Sequence, residues 1–116
     1  MLIKDNKITN VTIVNYEEKQ KIITFFDDII TKWLTDRNNE WFCINDLLDF
    51  GLGQHEDWNG TPLQVLYDNH INSGKTEEQA HTQAGQDAGK LLKETVHLRQ
   101  ENFDTKKNYY RYYKKI

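Results

Sequence analysis

The sequence predicts an α+β, mainly α, fold: a helical bundle with a small antiparallel sheet and an inserted loop and helix. Three observations carry this. Ile22, Phe26, Ile29 and Trp33 recur at intervals of four, three and four, the spacing of one helical face. Between Thr61 and Leu98 two Thr-x-x-Gln helix starts stand fifteen positions apart around Gly74. The chain then closes on NFDTKKNYYRYYKKI, rich in residues that favour strands. At 116 residues it is sized for a single domain over 1–116, with 1–15 as an N-terminal strand or arm and 16–116 as the core.

In the arm, LIKDNKITNVTIV is β-branched, with turn formers at Asp5 and Asn6. A two-stranded piece is marginal alone, so the expectation is pairing within the domain or with a second chain, which would make a homodimer; the alternative is a loosely ordered arm. The first helix runs from Tyr16 to about Asp36, with Ile23, Phe25, Ile30 and Leu34 widening its apolar stripe. Glu17 and Glu18 oppose the positive end of its dipole. After the polar turn Arg37, Asn38 and Asn39, a short strand at Trp41 to Cys43 leads into a short helix over Asn45 to Phe50, capped by Asn45 or Asp46 and ended by Gly51. LGQHEDWNG follows as a loop.

Thr61, Pro62, Leu63 and Gln64 predict a capping box with proline at the first helical position. Leu63, Leu66, Tyr67, His70 and Ile71 share one face, and Asn72, Ser73 and Gly74 stop the helix. Thr76 and Gln79 repeat the box. The second helix should run to about Gln100, with Ala80, Ala84, Ala88, Leu91, Thr95 and Leu98 as its inner stripe. Gly85 and Gly89 flank that stripe and predict close approach of another backbone, since glycine inside a helix costs about 1 kcal/mol against alanine. A turn at Lys106, Lys107 and Asn108 then makes a closing hairpin.

Composition narrows the function classes. Mean hydropathy is -0.84 and net charge -3, but residues 105–116 hold five cations and no acid, leaving ten basic against eighteen acidic groups elsewhere. The body is acidic and the tail basic, either an anion-binding tail or a counterweight to the body's charge. One cysteine, Cys43, permits no internal disulfide and no CxxC site. No apolar run approaches the ~20 residues of a membrane span and MLIKDNKITN has no signal-peptide core, so the expected setting is cytoplasmic, away from the membrane.

In order, the long helix, the strand at Trp41 to Cys43, the short helix, the long helix from Thr76 and the hairpin resemble the winged-helix branch of helix-turn-helix domains, over about Glu17 to Ile116. The resemblance rests on element order, not on a diagnostic motif. It implies duplex DNA binding, with the helix before the hairpin in the major groove and the hairpin on phosphate. By position, the Thr76 helix would offer Gln79, His81, Gln83, Gln86, Lys90 and Lys93 on its outer face, and the hairpin Lys106, Lys107, Arg111, Lys114 and Lys115. This chain departs from that pattern in its insertion from Gly51 to Ser73, and in Glu77 and Glu78, which would lie near phosphate.

Other constellations are weaker. His55, Glu56, Asp57, Asp68 and His70 match no metal-ligand spacing and read better as solvated loop groups; Glu56 and Asp57 are neighbours on a loop rather than an acid and base pair. Cys43, among Trp41, Phe42 and Ile44, reads as an inert buried thiol. GQDAGK at 85–90 lies inside a helix and is no phosphate loop. No catalytic set, cofactor motif or metal site emerges, and an enzyme is not expected. The alternative to DNA binding is a protein interaction or adaptor module whose contacts are Trp58, His55, Tyr110 and Tyr112; the third reading is a small-molecule or metal-binding protein acting through the 51–60 loop. Trp58 itself reads first as a lid on the core. The tyrosines at 109, 110, 112 and 113 must alternate between faces of a strand, so one pair is expected in the core.

Overall fold

Helix α1 (Tyr16–Asp36) begins where the Asn15 side chain accepts the Glu18 amide at 2.8 Å and the Glu18 carboxylate accepts the Asn15 amide at 2.9 Å. This is the Thr76 signal with asparagine in place of threonine. The structure, a computed structural model, describes residues 8, 10–37, 40–52, 58–108 and 110–116. Ile22, Phe26, Ile29, Ile30 and Trp33 are buried on α1, each withdrawing a large side chain from water for about 1.5 to 3 kcal/mol.

Helix α2 (Ile44–Leu52) extends beyond both expected ends. Asp46 is its capping acid, accepting the Cys43 amide at 3.1 Å. Gly51 does not end the helix but lies within it: a Cβ there would stand 2.7 Å from Ile29 Cδ1. The missing side chain lets α2 close on α1.

Helix α3 (Gln64–Asn72) starts without the expected box. Thr61 donates its hydroxyl to the Trp58 carbonyl at 2.7 Å and accepts the Leu63 amide, while Gln64 reaches forward to Asp68 at 3.0 Å instead of back. Leu63, Leu66 and His70 are buried, as the shared face predicts, and Gly74, at φ +100, turns the chain. Helix α4 (Glu77–Leu98) then starts on the expected Thr76–Gln79 box, with both reciprocal bonds formed.

Helix α4 is the axis of the bundle, packed against α3, α1 and α2. Its buried side chains are Ala80, Ala84, Asp87, Ala88, Leu91, Leu92, Thr95 and Val96. Two expectations fail here. Leu98 is 61% exposed, because Arg99 turns extended and ends the helix. A Cβ at Gly85 or Gly89 would meet nothing within 4 Å, so no neighbouring backbone requires either glycine.

The sheet pairs β1 (Phe103–Lys107) with β2 (Arg111–Lys115) antiparallel, Phe103 opposite Lys115 and Thr105 opposite Tyr113. Lys106 and Lys107 belong to β1 rather than to the turn. The strand expected at Trp41 to Cys43 is a single bridge, in which Phe42 and Tyr113 exchange amide bonds of 2.8 Å each. Phe42 rests among Trp33, Phe103 and Tyr113, with ring centroids 5.7 to 6.3 Å away, the aromatic part of the core.

Residues 10–15 form no strand. Val11 enters the core, and Asn69 donates to the Ile13 carbonyl at 2.9 Å. Most of the expected N-terminal strand, and with it the homodimer contact, lies outside the described residues. The fold is mainly helical with one small sheet, and among the described residues no helix is long and apolar enough to cross a membrane.

Candidate functional site

Opposed residues of an antiparallel pair share a face, and neighbours along a strand alternate. The register therefore puts Phe103, Thr105 and Tyr113 on the face toward the core, with Lys107, Arg111 and Lys115 beside them at the strand ends. Asp104, Lys106, Tyr112 and Lys114 point the other way. Arg111 donates to the Thr105 hydroxyl at 3.1 Å, so it steadies the hairpin as well as carrying charge.

The bridge at Phe42 extends the outward face by Trp41. The Lys106 ammonium lies 4.3 Å from the Trp41 ring centroid and 5.6 Å from that of Tyr112, and the Lys114 ammonium lies 5.9 Å from Trp41. Such contacts draw on the negative face of the ring. The Tyr112 hydroxyl titrates above its ordinary value, first through Coulombic interaction with Cys43. Burial likewise pushes the Cys43 thiol up, consistent with an inert cysteine. Within β2 alternation puts Tyr113, 2% exposed, toward the core and the half-buried Tyr112 on the other face; Tyr110, 40% exposed, precedes the strand, and residue 109 lies outside the described residues.

The outer side of α4 carries most of the expected row. Gln86 and Lys90 are exposed, and Gln83 and Lys93 half-buried. Gln79 is exposed too, but its side-chain oxygen is occupied by the cap at Thr76. His81 departs from the row: its ring stands 4.8 Å from Tyr67 of α3, on the side of α4 that bears Gly85. Glu77 and Glu78 are exposed at the start of the helix, more than three turns before Lys90 and Lys93, and the acid beside those lysines, Glu94, is paired with Lys19 of α1 at 2.9 Å.

Trp58 packs against the core, as a lid does, and with Leu48, Tyr67, His81, Ala84 and Gly85 it walls a cleft of about 520 Å³ between α2, α3 and α4. His55, Glu56 and Asp57 lie outside the described residues. The rest of that constellation is dispersed: Asp68 is exposed beside Gln64, whereas His70 is buried against Asp87 of α4, with Nε2 2.6 Å from Oδ2. Nδ1 of His70 is buried with no hydrogen-bond partner. Among the described residues no three His, Cys, Asp or Glu side chains gather as a metal site.

Two important residues lacked a sequence assignment. Asp87 falls on the inner stripe between Ala84 and Leu91, and a charged residue at an apolar position of a helix is itself a sign of a buried partner. Trp41 is next to a residue destined for the core, and the bridge of Phe42 to Tyr113 sets its outward side. Compared with protein-family models, curated proteins and solved structures, the chain gives no match.

Proposed function

We propose that this protein is a small winged-helix-like DNA-binding protein, holding duplex through the C-terminal half of the outer side of α4 and the cations of the hairpin. The observation that carries the reading is the segregation of charge. Five cations and no acid occupy residues 105–116 of an otherwise acidic chain, and Lys106 and Lys114 point away from the core. Affinity for nucleic acid comes chiefly from cations that displace counterions from phosphate. The element order, with the segment before α2 bridged to the last strand, agrees with the resemblance to winged helices. Glu77 and Glu78 set the docking end: Gln86, Lys90 and Lys93 face the duplex while the acidic start of α4 stays clear of it.

Titration of a labelled duplex at low and moderate salt tests this. Binding should weaken steeply with salt, and Lys106→Gln with Lys114→Gln should lower the slope of log affinity against log salt by about 0.9 for each phosphate that the protein no longer neutralises. Absence of binding at low salt, or a slope that the double variant leaves unchanged, contradicts it.

The cleft walled by Trp58, Tyr67 and His81 favours a second reading, an adaptor that seats a protein partner there. A copurifying partner lost on Trp58→Ala would support it, and one retained by that variant would remove Trp58 from the interface.

A further inference from the structure

We propose that the outward face of the sheet, Trp41 and Tyr112 with Lys106 and Lys114, binds unpaired bases of single-stranded nucleic acid, so that the preferred substrate is a junction of duplex and single strand. This rests on the nucleic-acid reading and specifies its substrate.

Trp41 has no role in the core. Trp33 is buried in the hydrophobic cluster and Trp58 packs against it, whereas Trp41 belongs neither to the cluster nor to the side chains that cover it. The fold nevertheless fixes where its indole goes, because the paired amide bonds of Phe42 and Tyr113 hold the backbone on both sides of the bridge. The same pairing turns Tyr112 outward. Two ammonium groups then converge on one ring, at 4.3 and 5.9 Å, and Asp104 is the one acid of β1 and β2 on that face.

Aromatic rings edged by cations suit a polyanion that brings π-faces of its own, which is the chemistry of a single strand. In uninterrupted duplex the faces of the bases are covered by their neighbours and offer the indole nothing to stack on. The lysines would track the phosphates of the tail while a base lies on Trp41. An acidic protein segment would satisfy the lysines but has no counterpart for the rings.

The test compares a blunt duplex, the same duplex with a single-stranded thymidine tail, and the tail strand alone, each titrated into the full chain at low salt. Stacking on an aromatic side chain predicts a preference for the tailed duplex of about ten-fold or more. Trp41→Leu should bring the ratio of tailed-duplex to blunt-duplex affinity to about one with melting temperature preserved, and Trp41→Phe, which keeps a ring, should retain most of the preference. Equal binding of tailed and blunt duplex, a preference that survives Trp41→Leu, or polyglutamate competing as well as the tail strand would each overturn the inference while leaving the duplex reading in place. So would a parallel loss of both affinities in the Leu and Phe variants, the mark of a purely structural indole. Failure of every nucleic acid to bind would overturn both.

Discussion

Three glycines and one buried pair test how this chain uses individual residues. Gly51→Ala places a methyl against Ile29, at 2.7 Å from Cδ1 and 3.0 Å from Cγ1, and overpacking of this kind costs about 1 to 3 kcal/mol. Gly85→Ala and Gly89→Ala meet nothing and should instead stabilise α4 by up to about 1 kcal/mol each. Chemical denaturation of the three variants separates the cases, and Ile29→Val should recover part of the Gly51→Ala loss. The sequence pattern points to close approach at Gly85 and Gly89 and to a helix end at Gly51, the reverse of what is found, since the neighbour that requires a glycine at 51 comes from another helix. The His70–Asp87 pair poses a similar question. Asp87→Ala strands a buried imidazole nitrogen and should cost about 1 to 3 kcal/mol, whereas replacing both residues by leucine removes the unmet polar groups together and should be milder than the sum of the single changes. A double-mutant cycle with additive losses would deny that the two are coupled.

At the scale of elements, the ends of helices decide the architecture. The boxes at Asn15 and Thr76 close with both reciprocal bonds, although Glu18 Oε1 also accepts from Asn69 at 3.4 Å. The Thr61 box does not, because the Thr61 hydroxyl oxygen accepts the Leu63 amide and Asp68 holds the Gln64 side chain; the same four-residue pattern is therefore a start signal in one place and a turn in another. At the far end of α4, Arg99 ties the helix to α1 through the Asp27 carboxylate at 2.6 Å and the Asp27 carbonyl at 3.1 Å, while Glu101 grips it from the other side at 2.9 and 2.7 Å. The hydrogen bond from Arg99 holds the Glu101 carboxyl below its ordinary value of 4.5. A carboxyl depressed in the folded state stabilises the fold above its unfolded value and loses that contribution as pH falls through the folded one. Melting temperature should accordingly drop as pH is lowered below about 4.5, and Glu101→Gln should flatten part of that drop. An identical acid profile in the variant would place the acid sensitivity elsewhere.

For the whole molecule, the class of fold and the order of its elements were legible because α1, α4 and the hairpin each carry a local periodic or capping signal. The site was legible in part. Gln86, Lys90, Lys106 and Lys114 lie on outward sides because their positions follow from helical and strand periods. His81 stands off the row because the helical period carries it about 200° from Gln79, to the side where Tyr67 of α3 meets it, and Trp41 carried no signal because its outward orientation depends on a bridge between Phe42 and the distant Tyr113. Long-range pairing of this kind leaves no local trace. The separation of an acidic body from a basic hairpin, by contrast, is plain in the sequence, and the proposed function stands on it. The most direct measurement of that claim is an amide chemical-shift map of the protein titrated with duplex DNA. Shifts confined to the hairpin and to the outer side of α4 around Gln86, Lys90 and Lys93, fading as salt is added, are the expected result. Shifts centred instead on Trp58, Tyr67 and His81, or a spectrum unchanged by DNA at low salt, would contradict it.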